Sequence, residues 1–211
     1  TLSEEEAVFL KDAVEKGKNI FISGGTSSGK TTLLNVLSGF MPDNERIITI
    51  EDSAELKLRK SNLVRLETRP DNSEGKGKIS MRKLIKAALR MRPDRIVVGE
   101  VRDECALDML QALCTGHDGS MSTAHANSAK DALLRIETMA LWEGHVNAEA
   151  IRRQIASGID IVVHLGRNRY MQRMVKEIME ICEYSSGEIV TNLLFENGKS
   201  LNQYRGRGRC G

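Results

Sequence analysis

The sequence predicts an α/β fold in which helices flank a mostly parallel sheet and an antiparallel hairpin lies near the end of the chain. A glycine-rich stretch at 23–32 lies between an apolar strand pattern and apolar residues at helical spacing. A continuous apolar run at 95–99 is typical of a strand buried inside a parallel sheet. After residue 169, two alternating runs on either side of Gly187 indicate the antiparallel hairpin.

The first half of the chain alternates helix and strand patterns. Residues 1–18 predict a polar amphipathic helix that Ser3 caps, with Glu6 at the capping-box position. Strands are predicted where β-rich residues run together, at 19–22, 46–50 and 63–67. A helix is expected over 33–37, and residues 69–79, rich in Pro, Asp, Asn, Gly and Lys, predict an exposed loop.

The second half repeats the alternation. Ser80 is the predicted cap of a helix that ends before Pro93, because the residue before a proline avoids helical geometry. Further helices are expected at 103–113, 128–142 and 147–157, and further strands at 95–99, 120–124 and 159–165. Buried strands that alternate with helices predict a parallel sheet covered by helices.

Composition excludes several classes of protein. The chain has 211 residues, enough for one sizeable domain with a buried core. A net charge of +2 and 4% aromatic residues argue against a channel for single-stranded nucleic acid, so no direct nucleic-acid contact is expected. No apolar run is long enough to span a bilayer, and no signal peptide is visible. The four cysteines form no C-x-x-C pair, which predicts no structural zinc and a reduced, cytoplasmic protein.

The glycine-rich stretch fits the G-x-x-x-x-G-K-[ST] pattern of phosphate-binding loops. Its glycines let successive backbone N–H groups point inward at a helix N-terminus and form an anion nest. Lys30 is expected to reach the β- and γ-phosphates of ATP, and Thr31 to offer its hydroxyl to Mg²⁺. The predicted nucleotide-binding residues are Gly24, Gly25, Thr26, Ser27, Ser28, Gly29, Lys30, Thr31 and Thr32.

Two acidic residues follow predicted strands, at the edge where ligands bind open parallel sheets. Glu51 is expected to face the phosphates, with a helix-capping or surface role as the alternative. Glu100 ends a Walker B-like strand in which Gly99 stands at the usual position of an aspartate. We expect Glu100 to be the catalytic acid and to order the Mg²⁺ shell, partly through water. The alternative for Glu100 is a carboxylate paired with Arg102.

Two histidines bracket the predicted strand at 120–124. His125 follows the strand and is a candidate to hydrogen-bond the γ-phosphate, with a purely structural role as the alternative. His117 precedes the strand and lies farther from that edge. A zinc site that uses both histidines lacks a third ligand at convincing spacing.

Together these segments resemble the secretion superfamily ATPases of type II secretion, type IV pili and type IV secretion. That family has an Asp box, a Walker B reading V-G-E-[IVM]-R-D and a His box, which here match residues 48–52, 98–103 and 115–127. The Gly-Glu ending of Walker B is a family hallmark. Residues 64–70, 74–77, 88–95 and 106–112 resemble the CpaF branch, also called TadA, of Tad/Flp pilus ATPases.

The resemblance implies a RecA-like core over 1–185 that works in a homo-hexamer and hydrolyses ATP to drive pilus assembly or secretion. It implies partners among inner-membrane platform proteins, and a cytoplasmic position at the inner face of the membrane. It also implies a preceding N-terminal domain, which we expect to be absent because Thr1 falls just upstream of the loop. Residues 186–211 are expected to hold a hairpin strand and a basic tail.

The resemblance also assigns roles to individual residues. Lys30 and Thr31 take the phosphate and Mg²⁺ roles, and Glu51, Glu100 and His125 those of the Asp box, catalytic acid and γ-phosphate contact. Arginines that neutralise transition-state charge come from a neighbouring subunit in such enzymes. Arg90 is the first candidate and Arg65 and Arg69 come next, with solvated surface arginines as the alternative.

Two departures from the family pattern bear on the branch. Ser27 stands where the family usually has glycine, a change that RecA-type loops tolerate. The paired C-x-x-C metal module of the type II secretion and pilus-assembly ATPases is absent, which fits the CpaF branch. The alternatives are a type IV secretion traffic ATPase for DNA or protein, and a nucleotide-gated scaffold that hydrolyses slowly. Nucleic-acid translocation is disfavoured by the charge and the low aromatic content.

Overall fold

The computed structural model describes residues 2–73, 75–103, 105–142, 144 and 146–205. These residues form a nine-stranded sheet in the order β3-β2-β4-β5-β1-β6-β7-β8-β9. The strands are β1 Ile20–Gly24, β2 Ile47–Glu51, β3 Leu63–Glu67, β4 Arg95–Val98, β5 Met121–Ala124, β6 Ile161–Arg167, β7 Arg173–Ser185, β8 Glu188–Glu196 and β9 Lys199–Ser200.

The sheet has a parallel part and an antiparallel part. Strands β1 to β6 pair in parallel, and β1 lies between β5 and β6, with Ile22 opposite Thr123 on one side and Val163 on the other. From β6 onward, β7, β8 and β9 pair antiparallel to their neighbours. The predicted fold class, a mostly parallel α/β sheet with a C-terminal antiparallel hairpin, is therefore confirmed.

Helices cover both faces of the sheet because its strands are apolar on both sides. The helices are α1 Glu4–Glu15, α2 Lys30–Ser38, α3 Met81–Ala88, α4 Cys105–Leu113, α5 Ala129–Leu141 and α6 Ala148–Gly158. Alternate residues of β1 join two separate cores: Phe21 packs with residues of α3 to α6, and Ile20 and Ile22 with α1 and α2. A strand buried on both faces reads as a continuous apolar run, as β1 does.

The predicted caps are present where the sequence placed them. Ser3 and Glu6 form a capping box at α1, and the Ser80 hydroxyl accepts the backbone N–H of Lys83 at α3. The expected helix over 103–113 is α4, which begins at Cys105. Glu74 of the matched 74–77 segment, Glu104 and the basic tail at 206–211 lie outside the described residues.

Two details go beyond the sequence prediction. The 69–79 loop is closed at its base by backbone hydrogen bonds between Arg69 and Ile79, of 3.0 and 2.9 Å. The short strand β9 pairs with β8, where no strand was expected. The predicted domain boundary after residue 185 falls in the turn between β7 and β8.

The parallel strands bring four chain segments to one edge of the sheet. The carboxyl ends of β1, β2, β4 and β5 lie next to one another there because the four strands run in the same direction. Ligands of open α/β sheets bind at this edge, where the loops after the strands meet. Among the described residues, no helix is long and apolar enough to cross a membrane.

Candidate active site

The glycine-rich loop connects β1 to α2 and takes a backbone path that glycine makes possible. Gly24 has φ +154°, and a Cβ there would lie 2.5 Å from the Leu165 carbonyl oxygen and 2.6 Å from the Ser28 hydroxyl. Gly29 precedes α2 with φ +102° and gives the helix no side-chain cap. The first N–H groups of α2 therefore face the loop and carry the positive end of the helix dipole.

The residues of the loop enclose a space that suits a phosphate group. A cavity of about 200 Å³ is lined by the six residues Ser27 to Thr32 and by Arg173. Ser27 has φ +56°, in the left-handed region that glycine adopts most readily. The Ser28 hydroxyl is buried and has no hydrogen-bond partner within the described part of the chain.

Lys30 is buried beside the loop, and its Nζ contacts three polar atoms. Its Nζ donates to the carbonyl oxygens of Gly24 at 3.0 Å and Gly25 at 3.1 Å, and it lies 3.4 Å from Nδ1 of His125. Burial lowers the pKa of Lys30; the carboxylate of Glu100 opposes this shift and the Arg102 cation adds to it. A buried ammonium is costly without an anion, so the loop is prepared for a negatively charged group.

Glu100 and His125 meet beside this lysine, as their predicted positions at two strand ends require. Nε2 of His125 lies 2.9 Å from Oε1 of Glu100. Oε1 is buried and accepts no well-directed hydrogen bond from the described residues. Burial and the nearby Lys30 cation lower the pKa of His125 against the pull of Glu100, so the imidazole is neutral at pH 7.

Glu100 also pairs with Arg102, as the alternative interpretation of this residue predicted. Nη2 of Arg102 lies 2.6 Å from Oε2 of Glu100, and Nη1 lies 3.6 Å from Oδ2 of Asp52. The hydrogen bond to Glu100 raises the pKa of Arg102, with the charges of Glu100 and Asp52 adding to it. Glu100 therefore has one oxygen held by Arg102 and the other directed toward His125.

Glu51 lies at the same edge and is 3% exposed. Its Oε1 accepts the backbone N–H groups of Glu55 and Leu56, both at 3.0 Å. Both residues lie in the loop between β2 and β3, so Glu51 holds a loop and does not cap a helix. A Cβ on Gly99 would lie 3.2 Å from Cγ of Glu51, so glycine at this position gives the Glu51 side chain its room. A cavity of about 250 Å³ beside it is lined by residues that include Thr31, Glu51, Glu100 and Arg102.

The three candidate arginines do not line the cavities around the loop. Arg90 is exposed in a 3₁₀ turn at Leu89–Met91, and the Met91 carbonyl accepts Nε of Arg46, just before β2. Arg90 therefore lies at the amino ends of the strands, at the opposite edge of the sheet. Arg65 donates to the Leu58 carbonyl at 2.7 Å, and Arg69 to the Gly77 carbonyl at 2.9 Å. His117 likewise precedes β5 at the edge away from the loop.

Three residues that the sequence analysis did not assign to the site lie at it or behind it. Arg102 stands two residues after Glu100, and its place in the V-G-E-V-R-D motif was the available signal. Arg173 begins β7, far from any motif, and its Cδ lies 3.7 Å from the position of a Cβ on Gly29. His164 of β6 lies behind the loop, with Nδ1 3.0 Å from the Ser23 hydroxyl.

The oxygen atoms at the edge of the sheet fit a magnesium ion better than a zinc ion. Among the described residues, no group of three or more His, Cys, Asp or Glu side chains is arranged to hold a metal. Mg²⁺ is held by one or two protein oxygens together with substrate phosphates and water. Thr31 and Glu100 line one cavity next to the loop, and Oε1 of Glu100 is buried without a hydrogen bond.

Comparisons with known proteins agree with this site. The profile of the family described as Type II/IV secretion system protein matches residues 1–211, so the chain belongs to that family. It is 44% identical over 165 residues to the type IV secretion system protein PtlH of Bordetella pertussis, which covers 75% of this chain and 48% of that protein.

Two solved structures share the fold. The VirB11 ATPase of the Brucella suis type IV secretion system, in complex with sulphate, is 32% identical with a TM-score of 0.74, over 82% of this chain and 51% of that one. The pilus retraction motor PilT with bound ADP is 26% identical with a TM-score of 0.67, over 88% and 52%. The core is therefore RecA-like, and the chain spans about half the length of the relatives it matches.

Proposed function

We propose that this chain forms the catalytic part of a Mg²⁺-dependent ATPase that powers a pilus or secretion machine. One observation carries the proposal: Lys30, His125 and Glu100 form a contiguous row at the mouth of the phosphate-binding loop. The distances are 3.4 Å from Lys30 Nζ to His125 Nδ1 and 2.9 Å from His125 Nε2 to Glu100 Oε1. A row of cation, imidazole and carboxylate beside an anion nest matches the needs of phosphoryl transfer to water.

Each residue has a chemical part in the proposal. The loop N–H groups and Lys30 hold the phosphates and neutralise the charge that develops on them. Thr31 and Glu100 would hold Mg²⁺, partly through water, and the ion would supply positive charge that stabilises the phosphates. Glu100 orients the attacking water and accepts its proton, while neutral His125 donates a hydrogen bond to the terminal phosphate. Glu51 keeps the loop after β2 in place through its contacts to Glu55 and Leu56.

The test of this activity is ATP hydrolysis by wild type and by the Glu100→Gln variant. We expect Glu100→Gln to keep ATP affinity and to lower the rate by about 10²- to 10⁴-fold, the range for loss of a general base. Glu188→Gln, the same change at an exposed residue of β8, is the matched control and leaves the rate unchanged. Equal hydrolysis by wild type and Glu100→Gln would remove Glu100 from the mechanism.

The position of Arg90 supports a ring of identical subunits, proposed as a hexamer. At the edge away from its own loop, Arg90 is exposed and free to face the loop of a neighbouring copy. The ring predicts that Arg90→Ala and Lys30→Ala are each inactive, and that mixing the two variants restores part of the hydrolysis. Mixed rings contain some sites that have both residues, so an absence of rescue would contradict action in trans.

Two processes are candidates for what the ATPase drives, and the sequence and the similar proteins favour different ones. The segments at 64–70 and 106–112 favour the CpaF branch, with inner-membrane platform proteins as partners and a peripheral cytoplasmic position. The similarity to PtlH and to the VirB11 ATPase favours the second candidate, a type IV secretion ATPase that moves protein or DNA. Co-purification of the protein with a pilus platform protein or with a type IV secretion channel would decide between them.

A further inference from the structure

The loop that carries His125 is held by a carboxylate from a distant strand. His125 lies between β5 and α5, and Ala129 is the first residue of that helix. Oε2 of Glu177, in β7, accepts the backbone N–H of Ala129 at 2.7 Å, although the two residues are 48 positions apart in the chain. The contact satisfies an N–H group of the first helical turn, which has no acceptor inside the helix.

Two further hydrogen bonds near the start of α5 are local. Oδ2 of Asp131 accepts the backbone N–H of Asn127 at 2.8 Å, and the Ser128 hydroxyl accepts that of Asp131 at 3.0 Å. These bonds give the turn its shape, but they join residues of the same turn and do not determine where the turn lies on the sheet. The bond to Glu177 ties the turn to β7.

Glu177 also lies near the strand that leads into the phosphate-binding loop. It is opposite His164 in the register of β6 and β7. Nδ1 of His164 lies 3.0 Å from the hydroxyl of Ser23, the residue before Gly24. The charge of Glu177 acts on His164 and raises its pKa, against the larger effect of burial. Glu177 therefore lies between the start of α5 and the strands behind the loop.

We propose that Glu177 is a positioning residue for hydrolysis, which holds His125 in its place beside Lys30 and Glu100. This inference rests on the proposed function, because it assumes that His125 acts on the terminal phosphate. Nδ1 of His125 lies 3.4 Å from Nζ of Lys30, and its Nε2 lies 2.9 Å from Oε1 of Glu100. The three residues follow three different strands, so their alignment depends on where the loop after β5 is held.

The chemistry and the setting of Glu177 suit this role. A carboxylate at a helix N-terminus makes a charge-assisted hydrogen bond and gains from the helix dipole. Glu177 is half-buried on β7, a strand that pairs with β6 on one side and β8 on the other, so its backbone is held firmly. A catalytic group displaced by about 1 Å can lose roughly 100-fold in rate, so one hydrogen bond behind His125 can control turnover.

The first test measures kcat and KM for ATP in three variants of β7. Glu177→Ala removes the acceptor and is expected to lower kcat about tenfold with unchanged KM, because Lys30 and the loop still hold the phosphates. Glu177→Gln keeps an oxygen that accepts the Ala129 N–H, so it restores most of kcat. Glu183→Ala, at an exposed residue of the same strand, leaves kcat and KM unchanged.

A double variant separates the positioning of His125 from a general structural role. If Glu177 acts through His125, Glu177→Ala has no further effect on kcat in a His125→Ala background, because coupled residues do not contribute additively. A further tenfold loss in that background would overturn the inference. So would a loss that appears in KM alone, or a failure of Glu177→Gln to restore kcat.

A measurement that needs no turnover tests the contact itself. Hydrogen exchange followed by mass spectrometry is expected to be faster over residues 125–131 in Glu177→Ala and unchanged in Glu183→Ala. Glu177→Asp, whose shorter side chain withdraws the acceptor, gives the same result and replaces Glu177→Ala if that variant does not fold. Unchanged exchange would overturn the inference. Absence of ATP hydrolysis by the wild type would instead overturn the proposed function.

Discussion

The two sides of the phosphate-binding loop are built in different ways. On the β4 and β5 side, Glu100 and His125 extend directly from strand ends, and their polar atoms contact each other and Arg102. On the β6 and β7 side, Glu6 and Arg173 come from segments far apart in the chain, and Oε1 of Glu6 contacts no described polar group. The first side is built from the ends of parallel strands, and the second from distant segments that packing brings together.

This difference decides which variants affect both sides and which affect one. Lys30 lies at the junction, and Lys30→Ala is expected to produce the largest loss of binding, about 100-fold for ATP and for tripolyphosphate alike. The reason is that its ammonium contacts the phosphates, which the two ligands share. Calorimetry with both ligands measures the effect, and Lys130→Ala, at an exposed residue of α5, serves as the control. A loss confined to ATP would contradict a contact between Lys30 and the phosphates.

A smaller effect is expected from a substitution that crowds only the β4 and β5 side of the loop, where Glu51, Glu100 and His125 lie. Gly99→Ala places a Cβ 3.2 Å from Cγ of Glu51, closer than an ordinary contact. We expect a loss of roughly 1 kcal/mol in the free energy of unfolding, as for mild overpacking, and slower turnover with normal tripolyphosphate affinity. Urea titration and hydrolysis assays measure the two quantities. A Cβ on Gly25 meets nothing within 4 Å, so equal losses of stability in Gly99→Ala and Gly25→Ala would contradict the steric explanation.

The smallest expected effect concerns the pH dependence of stability on the β6 side. Burial lowers the pKa of His164 below its ordinary value of 6.5, against the pull of Glu177 and Asp131, with Lys176 adding to the shift. The folded state thus binds this proton less readily than the unfolded state, so the unfolding free energy falls as the pH drops below about 6.5. The pKa of His125 is also lowered, so this residue contributes to the same pH dependence. His164→Asn flattens the decline between pH 7.5 and 5.5 in urea titrations, and an unchanged slope would exclude His164 as its source.

The sequence predicted the β4 and β5 side of the loop, with Glu100 and His125, far better than the β6 and β7 side. Glu100 and His125 lie in short motifs at the ends of apolar strands, so the direction of the parallel strands determines where they meet. The alternative for Glu51 was a helix cap or a surface role, and its contact with the N–H groups of Glu55 and Leu56 in a loop was not foreseen. It depends on the path of the loop after β2, and a strand pattern does not determine that path.

The residues on the β6 and β7 side of the loop were missed for a physical reason. Arg173 and Glu6 carry no motif and are separated by most of the chain, and they meet only because β7 pairs with β6 and α1 packs beside them. Glu6 was read correctly as a capping-box residue, but the sequence showed the use of only one of its oxygens. Strand β9 was missed because it has two residues, too few for any alternation to be visible.

The most direct test of the account is a parallel kinetic comparison of Glu100→Gln and Lys30→Ala with wild type. Both variants lose kcat/KM, but for different reasons. The account predicts that the loss in Glu100→Gln lies in kcat, because the carboxylate acts only on the reacting water, and that Lys30→Ala raises KM, because its ammonium contacts the phosphates of the bound substrate. A raised KM with an unchanged kcat in Glu100→Gln would contradict a role of Glu100 in the chemical step.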